Sequence, residues 1–279
     1  GSRRHIEALA KNGAIHLNGH VVHGIQSLRK LIDPTQDVVD VAGTRAILSP
    51  PRIYALLHKP AGIVTTLADP KGRGCIAELI PKAWAGRAGV VGRLDKPTTG
   101  ALLVTDDGDL SHLLTDPEFH VWKRYVLTVR GTPKENDPRL QLLRDGVTLG
   151  QKQTKPARCG VVPNSERIGR YDRPVTDVWI ELREGRFRQV RKMANRVQFK
   201  LTHLHRTAIG PLRLGALEEG QWRSLDLDEV DALYKAAGGR DAPRVGARRA
   251  LVRRLEAGEL DGDDTTLVLR WLAKSSDPT

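Results

Sequence analysis

Six short β-prone runs, residues 53–57, 90–94, 102–105, 125–129, 178–182 and 201–204, each closed by Gly, Pro or charged turn residues, constrain this chain more than any other feature. Helices fall between them, notably over residues 109–114 and 187–197, without regular alternation of strand and helix. A doubly wound parallel sheet is thereby disfavoured, and an α+β fold with a mainly antiparallel or mixed sheet is expected. No internal repeat is apparent. At 279 residues the chain can form one large core or two unequal domains.

A smaller unit precedes the strand-rich part. Ile6, Leu9 and Ala10 recur at helical spacing from about Arg3, and Asn12-Gly13 supplies a stop. Residues 14–17 and 20–22 then read as strands about Asn18-Gly19, the strongest short hairpin signal. Residues 1–45 are expected to form a small α/β domain, with 46–52, including Ser49-Pro50-Pro51, as linker. The larger domain is expected over 53–235. Residues 236–279 read as an extension, first basic and then acidic through Asp261-Gly262-Asp263-Asp264. Within it Arg248, Leu251, Val252 and Leu255 fit a short amphipathic helix, a pattern that suits a grip on RNA and a solvated peripheral helix alike.

Charge narrows the partner. Lys and Arg number 45 against 33 Asp and Glu, a net charge of +12. Between Arg183 and Arg206 eight basic residues meet one acidic residue, Glu184, leaving +7. Such a cluster repels itself unless an anion binds, and a nucleic-acid backbone is the polyanion it suits, although a solvated helix face is the plainer reading. With 39% hydrophobic residues and no apolar run near the roughly 20 residues of a bilayer span, no membrane partner is expected. Cys75 and Cys159 are too few for a disulfide framework or a zinc site, so a reducing compartment is expected. The amino terminus carries no apolar signal core. The expected location is the cytoplasm, or an organellar matrix had a leader been removed.

Two segments could carry chemistry. In Gly92-Arg93-Leu94-Asp95-Lys96-Pro97-Thr98-Thr99-Gly100 a β-prone run delivers Asp95 into a Pro/Gly loop between two cations, with another apolar strand following. This places a carboxylate at the mouth of a rigid sheet, but it equally suits a turn aspartate capping backbone amides. In residues 187–197, Val190, Met193 and Val197 form a buried stripe. Arg188, Lys192 and Arg196 point away from that stripe, towards phosphates. Arg191 lies on its flank, where a guanidinium can reach a carboxylate in a cleft.

Gly92-Arg93-Leu94-Asp95 with Thr99-Gly100 and Thr105-Asp106-Asp107-Gly108 resembles the catalytic motif of RNA pseudouridine synthases, specifically the ribosomal-RNA-modifying branch with an amino-terminal RNA-binding domain. Three further segments match in order: His58-Lys59-Pro60-Ala61-Gly62; Lys123-Arg124-Tyr125; and Glu184-Gly185-Arg186-Phe187-Arg188-Gln189-Val190-Arg191-Lys192-Met193 followed by Leu204-His205-Arg206 and Ile209-Gly210. Residues 1–45 resemble the RNA-binding domain named for ribosomal protein S-four, without its usual first helix. Gln198 stands where the family usually has Gly, and Ala101 where a larger aliphatic is common.

The resemblance implies an isomerase that needs no cofactor and no metal. It implies that Asp95 is the essential carboxylate, that Tyr125 packs against the uracil, and that Arg191 holds Asp95, with Leu94 and Val190 shaping the pocket. Without it, Tyr125 reads as a core strand tyrosine. The residues expected to contact RNA are Arg93, Arg186, Arg188, Lys192 and Arg206, with Arg3 and Arg4 on the small domain. Lys59 is placed both among the RNA contacts and as a support of the active-site wall. The implied partner is structured RNA, ribosomal and by preference of the large subunit, in a setting that includes pre-ribosomal particles. His203-Leu204-His205 reads as a strand pair rather than a ligand set. A non-catalytic RNA-binding or ribosome-assembly protein on the same fold is the main alternative, in which Asp95 would be dispensable. An aspartyl-phosphate enzyme is a more distant one, because Pro97 interrupts the Asp-Lys-Thr-Gly register and no Mg²⁺-binding carboxylate set is evident.

Overall fold

The computed structural model describes residues 3–22, 38–46 and 52–239. They divide into two compact units, one reaching to Ile53 and including Lys82–Ala88, the other comprising Tyr54–Pro81 and the chain from Gly89 onward. The expected linker lies mostly outside the described residues, as does the extension from 240 to 279.

In the first unit α1 (Arg3–Lys11) is followed by β1 (Ile15–Leu17) and β2 (His20–Val21), paired across an Asn18-Gly19 turn. Both turn residues have left-handed φ, 51° and 81°, the geometry that Asn-Gly supplies at little steric cost. A second hairpin, β3 (Val39–Val41) and β4 (Thr44–Arg45), completes a four-stranded sheet in the order β2-β1-β3-β4. Its turn uses Ala42 at φ 50° and Gly43 at φ 79°; the glycine suits a turn, but Ala42 is a residue type that advertises none, so the pair gives a weaker signal than Asn-Gly. Ala10, Ile15 and Val39 form the small core. Arg3 and Arg4 begin α1, and their side chains lie outside the described residues.

The second unit begins with β5 (Tyr54–Lys59), β6 (Gly89–Val91), β7 (Thr99–Thr105) and α2 (Gly108–Thr115). There follow β8 (Lys123–Arg130), α3 (Pro138–Asp145), β9 (Thr148–Leu149), β10 (Lys152–Gln153), β11 (Arg158–Val161) and β12 (Arg167–Ile168). The rest is β13 (Pro174–Leu182), α4 (Gln189–Arg196), β14 (Leu201–Ile209), β15 (Leu212–Arg213), β16 (Trp222–Ser224) and α5 (Leu227–Ala236).

The large sheet runs β11-β13-β8-β14-β7-β5-β16, with β12, β15 and β6 as side branches. It is mixed: β14 lies parallel to β7 and antiparallel to β8, and the other described pairs are antiparallel. The fold is thus α+β. The parallel junction is tight. Gly100, at φ +112°, sits so close to β14 that a Cβ there would lie 2.2 Å from the Arg206 carbonyl oxygen. No helix among the described residues is long and apolar enough to cross a membrane.

Among the described residues, apolar clusters back the sheet. One joins β8, β13 and β14 to α3 and α4 through Leu127, Ile180, Leu204, Leu140 and Met193. Another joins β5 and β7 to α2 and α5 through Leu56, Leu103, Leu113 and Leu233. Asp107 caps α2 through the amides of Asp109 and Leu110 and also accepts the hydroxyls of Tyr54 and Tyr234, so a cap becomes a tie between α2, β5 and α5.

Three expectations need correction. The strand expected over 90–94 stops at Val91 because Gly92, at φ 69°, turns the chain out of the sheet. The helix expected over 187–197 begins at Gln189, since Arg188 takes a left-handed φ of 53°. Arg188 therefore does not project from a helical face with Lys192 and Arg196. The strand expected over 201–204 continues to Ile209, because β8 and β7 both offer it partners. Gln198, at φ 62°, occupies a conformation that explains why glycine suits that position in the family the sequence resembles.

Candidate active site

The loop carrying Asp95 is held from three directions. Thr98 N–H bonds back to the Asp95 carbonyl at 2.9 Å, closing a turn, and Gly62 N–H donates to the Lys96 carbonyl at 2.9 Å. The Thr65 hydroxyl donates to the Leu94 carbonyl at 2.7 Å. Beneath the turn the Lys59 ammonium, fully buried, donates to the carbonyls of Pro60, Lys96 and Thr98 at 2.7, 3.3 and 2.9 Å. Burial pulls that ammonium down to about 8, against the opposing pull of Glu219 and Asp95. Lys59 is consequently no RNA contact: its charge is spent on the loop carbonyls, out of reach of a backbone phosphate. Of the two expectations for it, the supporting one fits this position.

From the other side α4 presents Arg191. Its Nε lies 3.5 Å from Asp95 Oδ2, and its Nη2 donates to the Pro97 carbonyl at 3.2 Å and the Thr98 hydroxyl at 2.9 Å. Burial lowers the guanidinium's proton affinity; Asp95 raises it, and Arg188 lowers it further. Arg191 Nε is buried without a hydrogen-bond partner among the described residues, so the 3.5 Å approach to Asp95 is what serves it. Arg188 also reaches this carboxylate, Nη1 standing 3.8 Å from Oδ2 on a more exposed side chain. Arg188 was expected at the phosphates alone. The left-handed turn at its α-carbon instead aims it at Asp95.

A cavity of about 430 Å³ opens over the carboxylate. Leu94 and Val190, both 6% exposed, form apolar walls, and Tyr125, Lys123, Leu204 and Arg206 contribute from β8 and β14. Arg206 and Arg186 differ from expectation. Arg206 is 2% exposed, with Nε donating to the Ala101 carbonyl at 2.7 Å and its guanidinium 6.0 Å from the Tyr125 ring centre. It cannot track an RNA backbone from there; it belongs to the cavity wall. Arg186 is committed to Glu184 and to the Lys152 and Gln153 carbonyls, which fastens the β9–β10 hairpin to the start of the basic segment. Arg93 and Lys192 are exposed. Beside them Phe187 is 68% exposed, with the Lys192 ammonium 5.1 Å from its ring centre, so the cavity mouth offers cations and one aromatic face.

Lys123 was missed because its segment was read for its tyrosine. Its ammonium donates to the Val121 carbonyl at 3.3 Å, and burial beside Arg206 lowers it from 10.5 to about 8. The unfolded chain keeps this proton up to the ordinary value while the folded protein releases it near 8, so folding stability rises with pH across that interval. The stability gained by Lys123→Met in urea unfolding is therefore expected to be larger at pH about 7 than at pH about 10.5, by on the order of 2 kcal/mol. A pH-independent gain would mean that the ammonium is not desolvated.

Among the described residues no group of three or more His, Cys, Asp or Glu is placed to hold a metal ion. His203 and His205 both meet the Thr99 hydroxyl, at 3.1 and 2.7 Å, and burial with the neighbouring His58 and His203 rings lowers His205 to about 4. What the site offers is a carboxylate fixed by two guanidiniums, an aromatic ring, apolar walls and a cationic rim. That set can receive a flat polar ring attached to a polyanion.

Residues 53–196 match the family described as RNA pseudouridylate synthase. The chain is 35% identical over 244 residues to an uncharacterised RNA pseudouridine synthase of Aquifex aeolicus, covering 87% of this chain and 92% of that protein. It is 31% identical over 238 residues to the ribosomal large subunit pseudouridine synthase B of Bacillus subtilis, covering 85% and 91%. A crystal structure of a pseudouridylate synthase superposes with a TM-score of 0.56 at 29% identity, covering 83% of this chain and 94% of that one.

Proposed function

Because this chain belongs to the RNA pseudouridylate synthase family, an enzyme family of isomerases acting on RNA, we propose that it converts one or more uridines of large-subunit ribosomal RNA to pseudouridine, with Asp95 as the essential carboxylate. The observation that carries this reading is the Asp95 carboxylate lining a cavity of about 430 Å³ with Arg191 Nε at 3.5 Å.

The reaction breaks the bond between N1 of uracil and C1′ of ribose and forms one between C5 and C1′; the hydrogen on C5 leaves as a proton and N1 ends protonated. No electrons are exchanged with another molecule. Attack by Asp95 on the sugar and attack on the base both require a carboxylate oriented towards the nucleoside, and Arg191 and Arg188 orient it. Tyr125 packs against the freed base, and Leu94 and Val190 exclude water while it rotates. The target nucleotide must leave its stack to enter, at a cost of a few kcal/mol met by contacts to the flanking backbone. Arg93 and Lys192 supply those contacts at the mouth, and the amino-terminal unit, through Arg3 and Arg4, supplies a second grip.

The test is incubation with large-subunit ribosomal RNA labelled with tritium at uridine C5, followed by tritium release and mapping of pseudouridine by chemical labelling and reverse transcription. Discrete new pseudouridines with matching tritium release are expected; no release from any ribosomal RNA would remove the reading. The rim makes a separate prediction. Arg93→Ala with Lys192→Ala should weaken RNA binding and lower the slope of log affinity against log salt by roughly 1.4–1.8. A slope equal to the parent's, measured by fluorescence anisotropy, would take these two cations off the RNA path.

A further inference from the structure

On the same central strands, away from the catalytic cavity, lies a second basic hollow of about 540 Å³. Arg130 and Lys200 flank it from the sheet, and the β12–β13 hairpin brings Arg167, Arg170, Tyr171 and Arg173. Arg130 is five residues beyond Tyr125 on β8, roughly 17 Å along an extended strand and on the opposite face of the sheet. The two hollows are therefore distinct places. Arg167 is paired with Asp177 at 3.0 Å. Arg130, Arg170, Arg173 and Lys200 are exposed and, among the described residues, have no carboxylate within ion-pair distance.

Tyr171 stands at the tip of this hairpin with 78% of its surface exposed, and Ile168 beside it is 67% exposed. Tyr171 and Asp172 are consecutive non-glycine residues at left-handed φ, 61° and 54°, a strained turn closed by Gly169 N–H on the Arg173 carbonyl at 2.8 Å. An outward aromatic face among unpaired cations repeats the composition of the catalytic mouth, where Phe187 stands among Lys192 and Arg188. Nothing in catalysis at Asp95 uses the second set.

We infer that this hairpin and the adjoining strand ends form a second RNA-binding surface, which holds the phosphates of a single-stranded or looped segment flanking the modified site while a base stacks on Tyr171. The inference rests on RNA being the substrate, as proposed above. Unpaired guanidiniums supply the phosphate contacts, and an exposed tyrosine supplies the sequence-tolerant stacking platform typical of single-strand binding.

The full chain is tested with a fluorescein-labelled RNA of about 30 nucleotides, a stem-loop with a single-stranded tail, by anisotropy across a salt series. Arg170→Ala with Arg173→Ala should lose roughly five- to tenfold in affinity near 0.1 M salt and roughly 1.4–1.8 in salt slope. Tyr171→Ala should lose about fivefold with the slope unchanged, because stacking releases no counterions. Arg213→Ala with Lys235→Ala, exposed cations outside the hollow, should stay within about twofold of the parent. Thermal melting of each variant reports whether it is folded. Parental affinity and slope in the hairpin variants, or equal losses in the Arg213/Lys235 control, would overturn the second surface. Tritium release from uridine in the same preparations separates the two proposals: release with parental binding by the hairpin variants removes the surface alone, and hairpin-dependent binding without release removes the isomerase reading alone.

Discussion

Asp95→Asn is expected to lower pseudouridine formation by at least about a thousandfold while leaving the fold and RNA affinity in place. The amide has the carboxylate's shape, so the turn closed by Thr98, the Lys59 contacts to the loop carbonyls and the Arg191 bonds to Pro97 and Thr98 all survive. What disappears is the negative charge held by Arg191 Nε at 3.5 Å and Arg188 Nη1 at 3.8 Å. Removing an anion from a cleft that receives a polyanion cannot weaken the Coulomb attraction, so affinity should equal or exceed the parent's. Single-turnover tritium release and anisotropy, run on one preparation, give both numbers. A variant within about tenfold of the parental rate would take the essential role away from Asp95.

The largest effect on stability is expected at Gly100, where alanine would bring a Cβ to 2.2 Å from the Arg206 carbonyl oxygen and 2.6 Å from its nitrogen, in a backbone conformation of φ +112°. Both obstacles are backbone atoms of the central strand, so relief requires β7 and β14 to part. We expect Gly100→Ala to lose at least about 3 kcal/mol in urea unfolding, or to fail to accumulate in soluble form. Gly108→Ala is the matched control: it starts α2, with no atom within 4 Å of the new Cβ, and should be neutral or stabilise by up to about 1 kcal/mol. Equal stabilities for the two variants would mean that the parallel junction is looser than described.

Local pattern was enough to read the strand-rich α+β class, the first hairpin and the meeting of Asp95 with Arg191. Each rests on short-range signals: alternation, an Asn-Gly pair, or a helix flank together with a family resemblance. What failed depended on distant residues. Arg206, and Lys59 in one of its two readings, are expected at RNA because a charge count carries no depth; only the pairing of β5 with β7, and of β14 with both β7 and β8, puts them inside. Arg188 was misplaced because its left-handed φ is a tertiary outcome for a residue type with no preference for it. Strands β3 and β4 were missed for the same reason at Ala42.

The position of β14 has a consequence for how this enzyme comes into being. The strand that separates β8 from β7 is the last long one among the described residues, 201 to 209, so during synthesis the Asp95 half and the Tyr125 half share no edge until it emerges. Closing that junction bridges about a hundred residues of sequence between Gly100 and Arg206, a slow, non-local event of the kind that delays folding. A chain short of β14 lacks the strand that joins β7 to β8, so the loop carrying Asp95 and the strand carrying Tyr125 come into one sheet only once residues 201 to 209 are in place.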